Sequence, residues 1–183
     1  MAKRIYRIIS WTLLALTVVS ILLVLRKPSF PTVESSPEAA RSFDEKFSLL
    51  STPPAGAAPR EIRFTEAELN SKLQQSLKSP PPAGPATLKA AIVHLEGDKL
   101  MGLFTVDVSG LDIYLTLGGK LGVNNRSLEF TPTDLKMGSQ PVPVSILGST
   151  LRDHLNAMRE QMQLPDSVQD VRVENGELVV QLR

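Results

Sequence analysis

The chain has 183 residues, 42% of them hydrophobic, which is enough apolar material for one modest folded domain with appendages. It contains no cysteine, so disulfides, thiolate zinc sites and cysteine nucleophiles are excluded. Five cations (Lys3, Arg4, Arg7, Arg26, Lys27) precede the first acid at Glu34; set aside from the overall +1, they leave the remainder at −4. An acidic body with two tyrosines and six phenylalanines offers no basic, aromatic surface for tracking phosphates, which argues against nucleic-acid binding.

Residues 8–25, "IISWTLLALTVVSILLVL", form an uncharged apolar run. At 1.5 Å per residue it reaches roughly 27 Å, close to the hydrocarbon thickness of a bilayer. A cleaved secretory signal would have a shorter apolar stretch and a small-residue cleavage site; here the run is followed by "RKPSF", so an uncleaved anchor is expected. The cations ahead of the run place the N-terminus in the cytoplasm and the rest on the exported side, as in a bacterial cell membrane. The expected organisation is an anchor over residues 1–27, a linker with a short amphipathic helix over 28–61, and an exported domain over 62–183.

Residues 28–36 read as an extended tether. Ser36 then caps a helix that has Pro37 at its first position and Ala40, Phe43, Phe47 and Leu50 on one stripe, either docked on the domain or lying on the membrane. After a second linker, "FTEAELNSKLQQSL" brings Glu66, Glu68 and Asn70 close together. Thr65 and Glu68 have the spacing of a capping box, Glu66 complements the positive end of a helix dipole, and Leu69, Leu73 and Leu77 supply a buried stripe. The cluster therefore reads as a helix start and not as a catalytic group.

Beyond a proline-rich break, alternation replaces helical spacing. Leu88, Ala90 and Ile92 are expected on one side of a first strand, and Gly102, Phe104, Val106 and Val108 on one side of a second. Leu111, Ile113, Leu115 and Leu117 alternate along a third, and Leu128 and Phe130 continue into a fourth. Gly118-Gly119 marks a bend or bulge, and Thr131-Pro132-Thr133 a turn. From Val144 to Gln163 the period returns to three and four, with Val144, Leu147, Leu151, Leu155, Met158 and Met162 on a long helix. Asn175-Gly176 between alternating runs then predicts a closing hairpin. The expected order is helix, four strands, helix, two strands, an α+β fold.

His94 and His154 have no metal-ligand spacing, and no nucleophile elbow, Walker motif or dinucleotide loop is present. Asp107, Asp112 and Asp134 read as solvent-face or turn residues, and Asn125-Arg126-Ser127 as a turn. Neither a cofactor, a metal nor an enzymatic activity is expected. The unusual feature is apolar surplus: "LMGLF" places large side chains on both faces of a strand, and the long helix carries methionines, which adapt to irregular apolar ligands. Leu103, Leu111, Ile113, Leu115, Leu151, Leu155 and Met158 are the candidate lining of an apolar groove, against the alternative of a close-packed core.

Three stretches, "FTEAELNSKL", "GSQPVPVSIL" and "LPDSVQDVRVENGELVV", resemble the YpmS-like family of membrane-anchored bacterial proteins and, more distantly, LmeA-like envelope proteins. The resemblance implies a TULIP-like arrangement, with a curved antiparallel sheet drawn from residues 87–131 and 168–182 wrapped on the helix at 144–163 and an apolar groove for acyl chains. It implies no catalytic residues. The expected function is lipid binding by a membrane-anchored envelope protein; the alternative is a module that docks on another envelope protein and holds no small ligand.

Overall fold

The computed structural model describes residues 16–19, 22–29, 32, 34–51, 60–77, 86–145 and 163–183. Residues 16–19 and 22–25 are helical; the rest of the apolar run at 8–25 lies outside the described residues. Among the described residues no helix is long and apolar enough to cross a membrane.

Helix α1 (Pro37–Leu49) starts as its sequence dictates: the Ser36 hydroxyl accepts the Ala39 N–H at 3.1 Å, and Pro37 occupies the first turn. Ala40 and Leu50 are buried, and the Phe43 ring lies 5.0 Å from that of Phe64. Of the two placements open to this helix, it takes the one on the domain. Phe47, assigned to the same stripe, is exposed.

Strand β1 (Arg60–Thr65) was not expected; it falls where a linker and a helix cap are predicted. Its Ile62 and Phe64 point inward, alternating with polar Glu61, Arg63 and Thr65. Thr65 ends the strand and caps helix α2 (Glu66–Leu77). Strands β2 (Ala86–Glu96), β3 (Lys99–Val108), β4 (Leu111–Asn124), β5 (Ser127–Met137) and the short β6 (Gln140–Pro141) follow as an antiparallel meander. After Val144 and Ser145, which are helical, residues 146–162 lie outside the described residues and hold most of the predicted long helix. Strands β7 (Val168–Glu174) and β8 (Glu177–Leu182) close the chain around Asn175 and Gly176, whose positive φ values of 54° and 76° suit the tight hairpin.

The expected single curved sheet is two sheets. Strands β2 to β6 form one in sequence order; β1, β8 and β7 form the other, with β8 in the centre. The extra strand makes the smaller sheet: β1 pairs antiparallel with β8 from Arg60↔Leu182 to Thr65↔Glu177, which puts β8 between β1 and β7. The core sits on the inner face of this three-stranded sheet, where Ile62, Phe64, Val171, Val180 and Leu182 meet Leu50 of the α1 end. Leu121, Val123 and Leu128, from the β4–β5 end of the larger sheet, pack against it. On the outer face, Val179 is 0% exposed although it points away from the core. The register flanks it with Arg63 and Arg172, whose guanidiniums pair with Glu61 and Glu174.

In the larger sheet two bulges change which side chains share a face. A register shift between Leu88 and Ala90 puts Leu88 opposite Val106 but Ala90 opposite Thr105 and Ile92 opposite Leu103. The predicted Leu88–Ala90–Ile92 face is therefore broken, because one inserted residue reverses the alternation. Another shift falls at Gly118-Gly119, the predicted bend, with Pro132 opposite Gly119. Thr131-Pro132-Thr133 is part of β5 and not a turn; a proline, which has no N–H for the ladder, is tolerated at such an irregularity.

Candidate functional site

The Glu66–Asn70 cluster resolves into fastenings. The Thr65 N–H donates to Glu68 Oε2 at 2.8 Å and the Glu68 N–H to Thr65 Oγ1 at 3.3 Å, which is the predicted capping box. The second role of Glu68 is not legible locally: only 5% exposed, it accepts the Lys46 ammonium at 2.7 Å and the Ser42 hydroxyl, both from α1. Burial pushes the Glu68 carboxyl up, and the Lys46, Ser42 and Thr65 donors outweigh it, holding the group below its ordinary range.

Asn70, 1% exposed, uses its amide as a substitute strand. Its Oδ1 accepts the Val93 N–H at 2.7 Å and its Nδ2 donates to the Val93 carbonyl at 2.7 Å and the Glu66 carbonyl at 2.8 Å. Glu66 Oε1 accepts the Leu95 N–H at 2.6 Å and lies 2.6 Å from His94 Nδ1. Helix α2 thus covers the β2 edge of the larger sheet, satisfying backbone groups that would otherwise offer a pairing template. Among the described residues no group of three or more His, Asp or Glu side chains could hold a metal ion.

Asp107, Asp112 and Asp134 are held by lysines. Lys89 Nζ lies 2.6 Å from both Asp107 and Asp112, and Lys99 Nζ lies 2.9 Å from Asp134. Hydrogen bonding to Lys89 holds the Asp107 carboxyl below its ordinary range, and hydrogen bonding to Lys99 does the same for Asp134. Carboxylates whose charged form is favoured in this way, as at Asp107 and Asp134, are poorly suited to proton transfer near neutral pH.

What remains is the apolar face of the larger sheet. Register places Leu111, Ile113 and Leu115 beside Val108, Val106 and Phe104, and Leu88 beside Val106, so these side chains share one surface. Ile113, Leu115, Phe104 and Val106 are half-buried, and Leu111 at its rim is 59% exposed. Among the described residues, none of these belongs to the core cluster or to the hydrophobic groups packed on it. Leu103, grouped with them in sequence, is opposite Thr116 on the other face, where both are buried; it does not line the same surface. Leu151, Leu155 and Met158 lie outside the described residues. Alternation along β4 sets Leu111, Ile113 and Leu115 on one face, as the register has them, while the placing of Phe104 and Val106 beside them follows only from register. No family model and no curated protein matches the chain, which leaves the YpmS-like resemblance resting on its three motifs.

Proposed function

We propose that this is a single-pass envelope protein, anchored by the apolar run at residues 8–25, whose exported domain holds an acyl chain or similar apolar ligand against the face made by Phe104, Val106, Leu111, Ile113 and Leu115. The reading keeps the YpmS-like, TULIP-like resemblance as its frame and assigns the protein a binding role, not an enzymatic one. One observation carries it: these five apolar residues share one sheet face, belong among the described residues neither to the core cluster nor to the groups packed on it, and end at an exposed leucine. Water contact with such a surface is unfavourable by roughly 25 cal/mol per Å², so a chain-like apolar ligand gains most by covering it.

The test is mass spectrometry of small molecules that co-purify with the full chain in a mild detergent, compared with Ile113→Glu. Wild type is expected to carry a defined lipid that Ile113→Glu loses, with cooperative unfolding retained in both. The same lipid content in the two chains would defeat the proposal and leave protein–protein docking as the better account.

A further inference from the structure

The carboxyl end of the apolar N-terminal run is gripped by the domain. The Ser139 N–H, in the turn between β5 and β6, donates to the Leu23 carbonyl at 2.9 Å. Beside it Gly138 has φ +58°, and a Cβ there would collide with the carbonyl oxygens of Leu23 and Val24, so only glycine allows this approach. The Gly138 N–H is itself tied back to the Tyr114 carbonyl at 2.6 Å, which fixes the turn against β4. Before this contact residues 16–19 are exposed around the whole helix, with Leu16 at 63%, Val18 at 48% and Val19 at 51%. An apolar helix exposed on every side needs a non-aqueous surrounding, and the uncharged run to which it belongs has the length of a bilayer core.

The position of the turn gives the contact its consequence. The Gly138-Ser139 turn and the Ser109-Gly110 turn lie at one end of the larger sheet, because Met137 pairs with Leu115 and Val108 with Leu111. The turns at Gly97 and at Asn125-Arg126 lie at the other end, where the core cluster draws in Leu121, Val123 and Leu128. We infer that the β5–β6 turn is the seat of the anchor, holding the domain with its Leu111 end against the lipid surface of the bilayer. Lipid then reaches the apolar face directly from the leaflet. This rests on the proposed reading of residues 8–25 as a membrane anchor.

The cysteine-free chain makes the seat testable in membranes. Leu111→Cys and Asn124→Cys mark the two ends of β4, roughly 40 Å apart at the rise of a strand. A fluorophore on each, in vesicles of phosphatidylcholine and phosphatidylglycerol containing brominated lipid, should be quenched at position 111 and not at 124. The pair Leu23→Cys with Ser139→Cys should form a disulfide on oxidation, while Leu23→Cys with Asn124→Cys should not. Gly138→Val should lower both the crosslinking and the quenching at 111. Equal quenching at the two ends, or no crosslink between 23 and 139, overturns the seat while leaving the anchor and the lipid site standing. Release of the chain from membranes by alkaline carbonate overturns the anchor and the seat together. Quenching and crosslinking as expected, without co-purifying lipid, support the seat and defeat the ligand site alone.

Discussion

Replacing Glu68 by Gln separates two functions of one carboxylate. As a capping-box residue alone, Glu68 would tolerate the change, because an amide oxygen can still accept the Thr65 N–H. The structure adds Lys46 at 2.7 Å from Oε1 and 2.9 Å from Oε2, and the Ser42 hydroxyl, around a group only 5% exposed. Glutamine with its oxygen at the Oε2 position still accepts from Thr65 and Lys46 and lets the Ser42 hydroxyl reverse, but it loses the charge and sets an amide NH2 against Lys46 at the shorter Oε1 contact. Losing one charge-assisted hydrogen bond at a buried site costs about 1.5–3 kcal/mol; Lys46 is partly exposed and also donates to the Arg63 carbonyl, so the lower half of that range is expected. Urea unfolding of the full chain in detergent should show the loss as a lower midpoint at unchanged slope. The carboxyl is held below its ordinary range in the folded state, so its stabilisation is complete above the unfolded glutamate value of about 4.3 and is lost as pH falls through the lower folded value. The gap between wild type and Glu68→Gln should therefore be constant from about pH 7 to 5 and close below about pH 4. A variant within about 0.5 kcal/mol of wild type at neutral pH would refute the reasoning.

Asn70→Ala removes both partners of a buried backbone N–H and C=O on β2 and should destabilise the protein by about 2–3 kcal/mol in the same assay. Thr65→Ala should cost about 1 kcal/mol, and the helical signal should fall with it as the cap is lost. Arg126 sits at φ +65°, which disfavours a side chain, and its ion pair with Asp166 is exposed; Arg126→Gly should raise the urea midpoint by an amount worth about 0.5–1 kcal/mol. Leu111→Ser, at a position that is 59% exposed, should leave unfolding within about 0.5 kcal/mol of wild type while reducing lipid co-purification.

Legibility in the sequence follows the range of the interaction. The Ser36 cap, the Thr65–Glu68 box and the Asn175-Gly176 hairpin involve partners within four residues, and each is present as the residues indicate. Strand β1 is not legible although Ile62 and Phe64 alternate with polar neighbours, because its pairing partner is β8 at the far end of the chain. The division into two sheets likewise lies in pairings between strands far apart in sequence. On the candidate surface, alternation along β4 identifies Leu111, Ile113 and Leu115, yet the side on which Leu103 falls depends on hairpin register, which sets it opposite Thr116. The Leu88–Ala90 shift shows the limit plainly: one inserted residue reverses every later side chain, and nothing in "TLKAAIVHLE" marks it.

The fastenings at Thr65–Asn70 also bear on where function resides. Thr65 ends the strand of one sheet and starts the helix that seals the edge of the other, so six consecutive residues join the three-stranded sheet, α1 and the larger sheet. Both carboxylate oxygens of Glu68 and both polar atoms of Asn70 are engaged in that joint. A carboxylate held ionised by a lysine and two further donors stabilises a fold well and transfers protons poorly near neutral pH. The cluster that looks most like chemistry thus serves to assemble the domain at one end of the larger sheet, where Val93, Leu95, Leu121 and Val123 are engaged. The other end, from Phe104 to Leu115, keeps an apolar face separate from that joint, and it is the end beside which Leu23 is bound. Packing at one end and an apolar rim at the end that holds Leu23 make the Leu111 side the place where, on the proposed function, substitutions should alter ligand content without altering stability.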